Sequence, residues 1–284
     1  MATIKDFSGY DPTWCPGCGN WGIGIAIKQA LVQLKLDPSS VATVFGIGCS
    51  GNMNDSLNTY SIHSLHGRSI PNAIGIKIAN NQTSVIVVAG DGDCYGEGGN
   101  HFLHACRGNH DITVIIHDNG VYGLTTGQSA PTAQKGFKSK STPSGIIETP
   151  INPLSFAITS GATFVAQSFA GDAVHTTAMI KAGIEHKGFS VVNILQPCVT
   201  FNKVNTYQYY LKKVYKLDEK YQKDDFKTAV QKSLEINEEK FPLGIIYKSI
   251  KPSYTEQLNQ LADVDRLIDK KRFVDFDKIT ESFI

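Results

Sequence analysis

The sequence predicts an α/β fold: a mostly parallel sheet with flanking helices, continued by a helical C-terminal extension. Three observations carry that prediction. Short, continuous β-branched runs recur along the chain, as expected of strands buried on both faces. Stretches with apolar residues at helical spacing alternate with them, the pattern of a layered α/β domain. From residue 204 onward the chain turns aromatic, charged and helical in pattern. The expected division is residues 1–203 as one α/β domain and 204–284 as an extension packing on that domain or on a partner subunit.

Taken in order, the first chemical signal is WCPGCG at 14–19. A Cys-x-x-Cys pair lets Cys15 and Cys18 face one metal, and the Pro and Gly between them favour the tight turn this needs. The pair alone fits zinc, an iron-sulfur centre or a dithiol. Residues 21–36 follow as an amphipathic helix, with Ile23, Ala26, Ile27, Ala30, Leu31 and Leu34 on its inner stripe. A buried strand at 41–47 runs into Gly48-Cys49-Ser50, a small-residue loop holding a third cysteine. His66, Gly67 and Arg68 precede a helix over 70–79. Pro71 suits its first turn, which puts His66 and Arg68 near a positive helix end that favours an anion.

The organising stretch is 84–128. Two buried strands, 85–89 and 112–117, each end in ligand chemistry. Gly90-Asp91-Gly92-Asp93 combines tight turning with a hard oxygen, and Asp118-Asn119-Gly120-Val121 offers an amide oxygen and free carbonyls. If the strands are neighbours, both loops lie beyond the carboxyl edge of the sheet, where open α/β sheets bind ligands. A divalent metal holding a diphosphate fits there. Between the strands, 98–108 reads as a helix with Phe102, Leu103 and Cys106 inward, and Cys94, Cys106, His101 and His104 read as structural. Residues 122–149 read as a long surface loop. Strands at 163–166 and 189–195 flank a helix at 172–186, and the second ends in Gln196-Pro197-Cys198. Helical pattern returns at 207–211 and 224–236, with a last strand at 244–247.

Composition narrows the function classes. At 284 residues, 41% hydrophobic and 19% charged, the chain is long enough for a sizeable core. A net charge of +1 gives no electrostatic case for nucleic acid or an anionic membrane surface. The N-terminal residues show no apolar signal region and no run approaches a membrane span, so a cytoplasmic location is expected. Six cysteines without a secretory signal point to metal or redox use rather than disulfides.

Asp91 paired with Asn119 at two strand ends resembles the metal motif of thiamine diphosphate enzymes. The resemblance implies magnesium held by Asp91, Asn119 and the carbonyl of Val121. More broadly, WCPGCGNWGI at 14–23, GIGCSG at 46–51, LHGR at 65–68, GDGD at 90–93, GGNH at 98–101, YGLTTGQSAPT at 122–132 and QPCVTFN at 196–202 resemble the β subunit of 2-oxoacid:ferredoxin oxidoreductases. The 2-oxoglutarate or broad 2-oxoacid branch is the nearest in pattern. That resemblance implies the thiamine diphosphate-binding fold and one 4Fe-4S cluster on Cys15, Cys18, Cys49 and Cys198. It implies cofactor contacts from Gly48, Cys49, Ser50, His66, Gly67, Arg68, Gly90, Asp91, Gly92, Asp93, Asn119, Val121, Gly123, Leu124 and Thr125. It places His66, Leu124 and Thr126 toward the reacting groups.

The implied reaction is coenzyme A-dependent oxidative decarboxylation of a 2-oxo acid, 2-oxoglutarate or pyruvate, with ferredoxin as electron acceptor. The implied partner is the α subunit, alone or as an α/γ fusion, in a heterodimer or a dimer of heterodimers. The α partner supplies the carboxylate that activates the thiamine aminopyrimidine, and no residue here takes that role. Two departures from the family pattern bear on this reading. Thr126 stands where many 2-oxoglutarate-type relatives carry lysine, and Asp118 stands where an Asn-Asn pair is common. Two competing readings are weaker: a non-redox thiamine diphosphate decarboxylase or synthase leaves the four cysteines unexplained, and a zinc-stabilised binding subunit leaves the Asp91 and Asn119 pairing unexplained.

Overall fold

The computed structural model describes residues 2–261, 266–270 and 275–283. The parts of the predicted extension at 262–265, 271–274 and 284 lie outside the described residues. Eight strands form one sheet: β1 (Val41–Phe45), β2 (Tyr60–His63), β3 (Ser84–Gly90), β4 (Thr113–Asp118), β7 (Phe164–Phe169), β8 (Ser190–Leu195), β9 (Val214–Lys216) and β10 (Phe241–Lys248). Their order is β2-β1-β3-β4-β8-β7-β10-β9. The six strands from β2 to β7 are mutually parallel, and β10 joins β7 antiparallel. A two-stranded ribbon, β5 (Val121–Tyr122) with β6 (Gln128–Ser129), stands apart from the sheet.

Every residue of β1, β4, β7 and β8 is buried, as the continuous apolar runs predict for strands covered on both faces. Helices α1 (Asn20–Gln33) and α5 (Ala173–Glu185) cover one face. On the other lie α2 (Ser69–Ala79), α3 (Gly99–Gly108), α4 (Pro153–Thr159) and α7 (Phe226–Leu234). Phe102 is the hub of this second layer, fully buried with its ring 5.2 Å from Tyr95, 5.0 Å from Phe156 and 5.7 Å from Phe189.

Several local expectations change. Leu103 is half-exposed rather than inward, and Ala105 takes the inner position beside Phe102 and Cys106. Strand β2 leaves no signal in the sequence, because all four of its side chains are exposed at the sheet edge and present no buried run. The loop after Tyr122 carries β6 and is pinned by buried Ala133 and Phe137, which pack with Val121 and Cys198. Helix α4 follows it, capped by Asn152, whose side chain accepts from the Ser155 N–H. Beyond residue 203, α6 (Tyr207–Leu211) and α7 match the helical pattern, yet β9 and β10 extend the same sheet. The final helix α8 (Phe276–Glu281) is short. Among the described residues no helix is long and apolar enough to cross a membrane.

The arrangement that matters for function is at the carboxyl edge. Strands β1, β3, β4 and β8 are consecutive neighbours, in register at Phe45↔Val88, Gly90↔His117 and Asp118↔Leu195. Each releases one of the loops singled out in the sequence: residues 46–50, 91–93, 119–121 and 196–198.

Candidate active site

Asp91 opens a wide helical turn, Gly92–Glu97, whose irregular geometry is of the kind found at functional sites. One oxygen of its carboxylate accepts from the Gly120 N–H at 2.9 Å and from the Thr132 hydroxyl. The β3 and β4 loops are therefore stitched together at the metal-type residues. The Asn119 amide oxygen accepts from the Val121 N–H at 2.9 Å, and its nitrogen donates to Gln196 Oε1 at 2.8 Å. Gly92 has no room for a side chain, since a Cβ there would stand 2.4 Å from the Tyr122 ring. Asp93 turns the other way. One of its oxygens accepts from the Gly67 N–H at 2.8 Å and the Ile47 N–H at 3.2 Å, and it pairs with His66 Nδ1 at 2.7 Å.

These loops enclose a cavity of about 70 Å³. Gly48, Cys49, Ser50, His66, Gly90, Asp91, Gly92, Asp93, Asn119, Val121, Gly123, Leu124 and Thr125 all line it. Three predicted residues do not. Gly67 stands behind, donating to Asp93, and the Arg68 guanidinium is turned onto His101. Thr126, in the left-handed region at φ 75°, lies on the wall of the neighbouring cysteine cavity. Ile47, His117 and Tyr122 also line the first cavity, and sequence reading missed them. His117 carried no signal because it sits inside a buried run, like any core residue.

The electrostatics suit a cation and an anion. Asp91 is fully buried; burial, and then the negative charge of Asp118, push its carboxyl up to about 7. Burial raises the Asp118 carboxyl as well. A divalent ion reverses both effects by favouring the charged form. Among the described residues, buried polar atoms without a partner gather here. Ser50 Oγ, Asp93 Oδ2 and His117 Nε2 belong to cavity-lining residues, and Asn20 Nδ2 lies behind His117, whose Nδ1 is 2.8 Å from Asn20 Oδ1. A concentration of orphaned groups marks a place built for a ligand.

The second cavity, about 220 Å³, is lined by Cys15, Cys18, Cys49 and Cys198, which come from three separate strand-end or turn segments. A Cβ on Gly123 would stand 3.3 Å from Cys49 Sγ and 3.9 Å from Cys198 Sγ, so both sulfurs face one point. Two indoles hold the loops: Trp14 Nε1–H donates to the Cys49 carbonyl at 2.7 Å and Trp21 Nε1–H to the Cys15 carbonyl at 3.1 Å. Their rings meet edge-on at 5.3 Å. Burial pushes the Cys18 and Cys49 thiols up to about 11, and charge on the neighbouring cysteines adds to the shift. Among the described residues no three His, Cys, Asp or Glu side chains converge tightly enough for a single ion. Cys94 and Cys106 are buried in the core, and burial raises both thiols well above their ordinary value. The two cavities share Cys49, Asn119, Gly123 and Leu124 as a common wall.

Comparison with known proteins agrees with this geometry. Residues 42–194 match the family model of the thiamine pyrophosphate enzymes' C-terminal TPP binding domain. Residues 198–263 match the model for the C-terminal part of the pyruvate ferredoxin oxidoreductase beta subunit. The chain is 46% identical over 261 residues to the 2-oxoacid:ferredoxin oxidoreductase subunit beta of Sulfolobus sp, covering 86% of this chain and 85% of that protein. It is 47% identical over 257 residues to the subunit of the same name from Saccharolobus solfataricus, covering 86% and 84%. A solved structure, 2-oxoglutarate:ferredoxin oxidoreductase from Magnetococcus marinus with 2-oxoglutarate, coenzyme A and succinyl-CoA bound, superposes with a TM-score of 0.91 at 36% identity, covering 99% of this chain and 96% of that one. Fold, paired loops and relatives converge: this chain carries a thiamine diphosphate-binding domain and belongs to the β subunits of the 2-oxoacid:ferredoxin oxidoreductases.

Proposed function

We propose that the chain, with its α partner, catalyses coenzyme A-dependent oxidative decarboxylation of a 2-oxo acid and passes the electrons to ferredoxin. The observation that carries this reading is the common wall: a cavity with Asp91 and Asn119 at its base adjoins, across Cys49, Asn119, Gly123 and Leu124, a cavity lined by four cysteines. Asp91, Asn119 and the Val121 carbonyl would hold magnesium, whose charge would neutralise the diphosphate. Cys15, Cys18, Cys49 and Cys198 would hold one 4Fe-4S cluster. When bound, thiamine diphosphate supplies the electron sink for loss of carbon dioxide, and the cluster takes the electrons one at a time.

The chain's own residues bind and orient. Asp93 fixes the His66 ring through Nδ1 and leaves Nε2 for the reacting groups. Gly90 and Gly92 would let backbone approach the diphosphate, and Leu124 stands on the wall that the two cavities share. Asp91 and Asp93 are the carboxylates lining the cavity; Asp91 is assigned to the metal, and Asp93 holds His66 through Oδ1. As the family resemblance implies, the α subunit would supply the carboxylate that activates the aminopyrimidine, so the isolated chain should be inactive. The test is to purify the αβ complex without oxygen, measure iron and sulfide, titrate thiamine diphosphate by calorimetry, and follow viologen reduction with a 2-oxo acid and coenzyme A. About four irons per chain and cofactor-dependent viologen reduction are expected. Stoichiometric zinc without iron, or activity from the isolated chain, would overturn the proposal.

A further inference from the structure

Gln196 occupies the turn after β8 and is 1% exposed. Its amide oxygen accepts from Asn119 Nδ2 at 2.8 Å, and its amide nitrogen donates to Cys18 Sγ at 3.3 Å and to the Pro197 carbonyl at 2.9 Å. One side chain thus spans from a residue of the metal-type loop to a sulfur of the cysteine cavity. The orientation of both amides follows from their neighbours. The Val121 N–H requires an acceptor, which fixes the Asn119 oxygen and turns its nitrogen toward Gln196. The Asn119 Nδ2 donor in turn faces the Gln196 amide, which sets the Gln196 oxygen toward Asn119 and leaves its nitrogen on the side of Cys18 and the Pro197 carbonyl.

The side chain is also clamped. A Cβ on Gly19 would stand 2.7 Å from Gln196 Cγ and 3.3 Å from Pro197 Cδ, so the glycine after Cys18 leaves the space that Gln196 fills. The Gln196 N–H donates to the Asp118 carbonyl at 2.7 Å, and the Gly19 N–H to the Pro197 carbonyl at 3.2 Å.

We infer that Gln196 is a positioning residue through which occupancy of the cofactor site sets the electron affinity of the cluster. The inference rests on the cofactor and cluster assignments proposed above. A cation on the Asn119 oxygen polarises that amide and strengthens its N–H as a donor to Gln196. Polarised in turn, the Gln196 N–H becomes a stronger donor to Cys18 sulfur, since linked hydrogen bonds reinforce one another. Hydrogen bonds to the sulfurs are among the factors that set cluster potentials, and this one stabilises the negative charge of the reduced state. Cofactor binding therefore raises the potential, and by reciprocity reduction of the cluster tightens cofactor binding by the same factor.

The test uses the αβ complex, with magnesium and thiamine diphosphate as the probe and the cluster potential read by EPR-monitored redox titration. In the unmodified complex the probe should shift the oxidised-to-reduced ratio about threefold toward reduced, ~28 mV for a one-electron couple. Gln196→Met removes all three side-chain hydrogen bonds, to Asn119, Cys18 and Pro197. It should lower the potential, abolish the response to the probe, and weaken thiamine diphosphate binding by roughly 10–100-fold, as loss of an outer-shell partner does. Gln196→Glu keeps the acceptor for Asn119 and loses the donor to Cys18, so the potential should fall while affinity stays within about threefold of the parent. If Gln196→Met does not assemble, Gln196→Glu decides. A variant cluster with the parent's potential and probe response overturns the coupling. A complex with iron and bound cofactor but no probe-induced shift overturns it too, while leaving the assignments intact. Absence of iron or of cofactor binding in the unmodified complex overturns the assignments themselves.

Discussion

Replacing Asp91 by Asn should stabilise the metal-free chain while destroying its hold on thiamine diphosphate. The folded carboxyl titrates near 7 against an ordinary value of 3.8, because burial and the Asp118 charge both oppose ionisation. A shift of about three units corresponds to about 4 kcal/mol of penalty on the folded state once the group is ionised. The amide keeps the oxygen that accepts from Gly120 and Thr132. Its nitrogen takes the place of the other carboxylate oxygen and, being a donor, costs about 1 kcal/mol where it meets no acceptor. The net gain is about 3 kcal/mol at a pH of about 8.

The pH dependence gives the sharper check. Between the unfolded value near 4 and the folded value near 7 the native state binds the extra proton, so this group's contribution to stability declines as pH rises through that window. The advantage of Asp91→Asn over the parent should therefore shrink by about 2–3 kcal/mol between about pH 8 and about pH 5. Urea unfolding of both chains with a chelator present measures it. A variant no more stable than the parent at the alkaline end, or an advantage independent of pH, would refute the electrostatic reasoning. Retained thiamine diphosphate affinity by calorimetry would remove Asp91 from the metal site.

Other expected outcomes follow from the same geometry. Cys198→Ser should remove or degrade the cluster. Cys106→Ser should leave iron content unchanged and cost about 1–3 kcal/mol by placing an unpaired hydroxyl in the core, as denaturant unfolding and iron analysis would show. Phe102→Ala should cost about 3–5 kcal/mol in unfolding free energy, because Tyr95, Phe156 and Phe189 all lose their contact with it. With Thr126 in place of lysine the complex should accept shorter or uncharged 2-oxo acids beside 2-oxoglutarate, and Thr126→Lys should raise preference for the dicarboxylate. Relative kcat/KM for 2-oxoglutarate, pyruvate and branched 2-oxo acids tests this, and strict 2-oxoglutarate specificity in the parent would refute it.

The parts of the site that sequence made legible are those resting on short-range physics. Strands β3 and β4 are continuous apolar runs, and each ends in a residue type with its own chemistry, so Asp91 and Asn119 stand out as a pair without any knowledge of topology. The thiols could be grouped by resemblance but not by spacing, because Cys49 and Cys198 reach Cys15 and Cys18 only through the order of β1, β4 and β8. Gln196 falls within the quoted QPCVTFN stretch, but its bridging role was hidden for a related reason: one amide in a turn has no periodicity, and Asn119 and Cys18 come from distant segments. Arg68 reads as an anion contact from its place at a helix start, and its pairing with His101 depends on the packing of α2 against α3. The edge strand β2 was hidden because its side chains are exposed; a strand at 244–247 was legible, but that β10 joins this sheet and carries β9 with it was not, because pairing leaves no local pattern.

That return has a consequence for how the chain is made. The outer edge of β7 finds its hydrogen-bonding partner only in residues 241–248, pairing Phe164 with Lys248 and Gln167 with Gly244. During synthesis the parallel half of the sheet, with both metal-type loops, is complete well before β10 leaves the ribosome. For that interval the nascent chain carries a bare strand edge bearing Phe164, Val165 and Phe169, a template for pairing with another chain. A truncation after residue 203 leaves that edge permanently open, so the shortened protein should aggregate rather than persist as a smaller cofactor-binding unit.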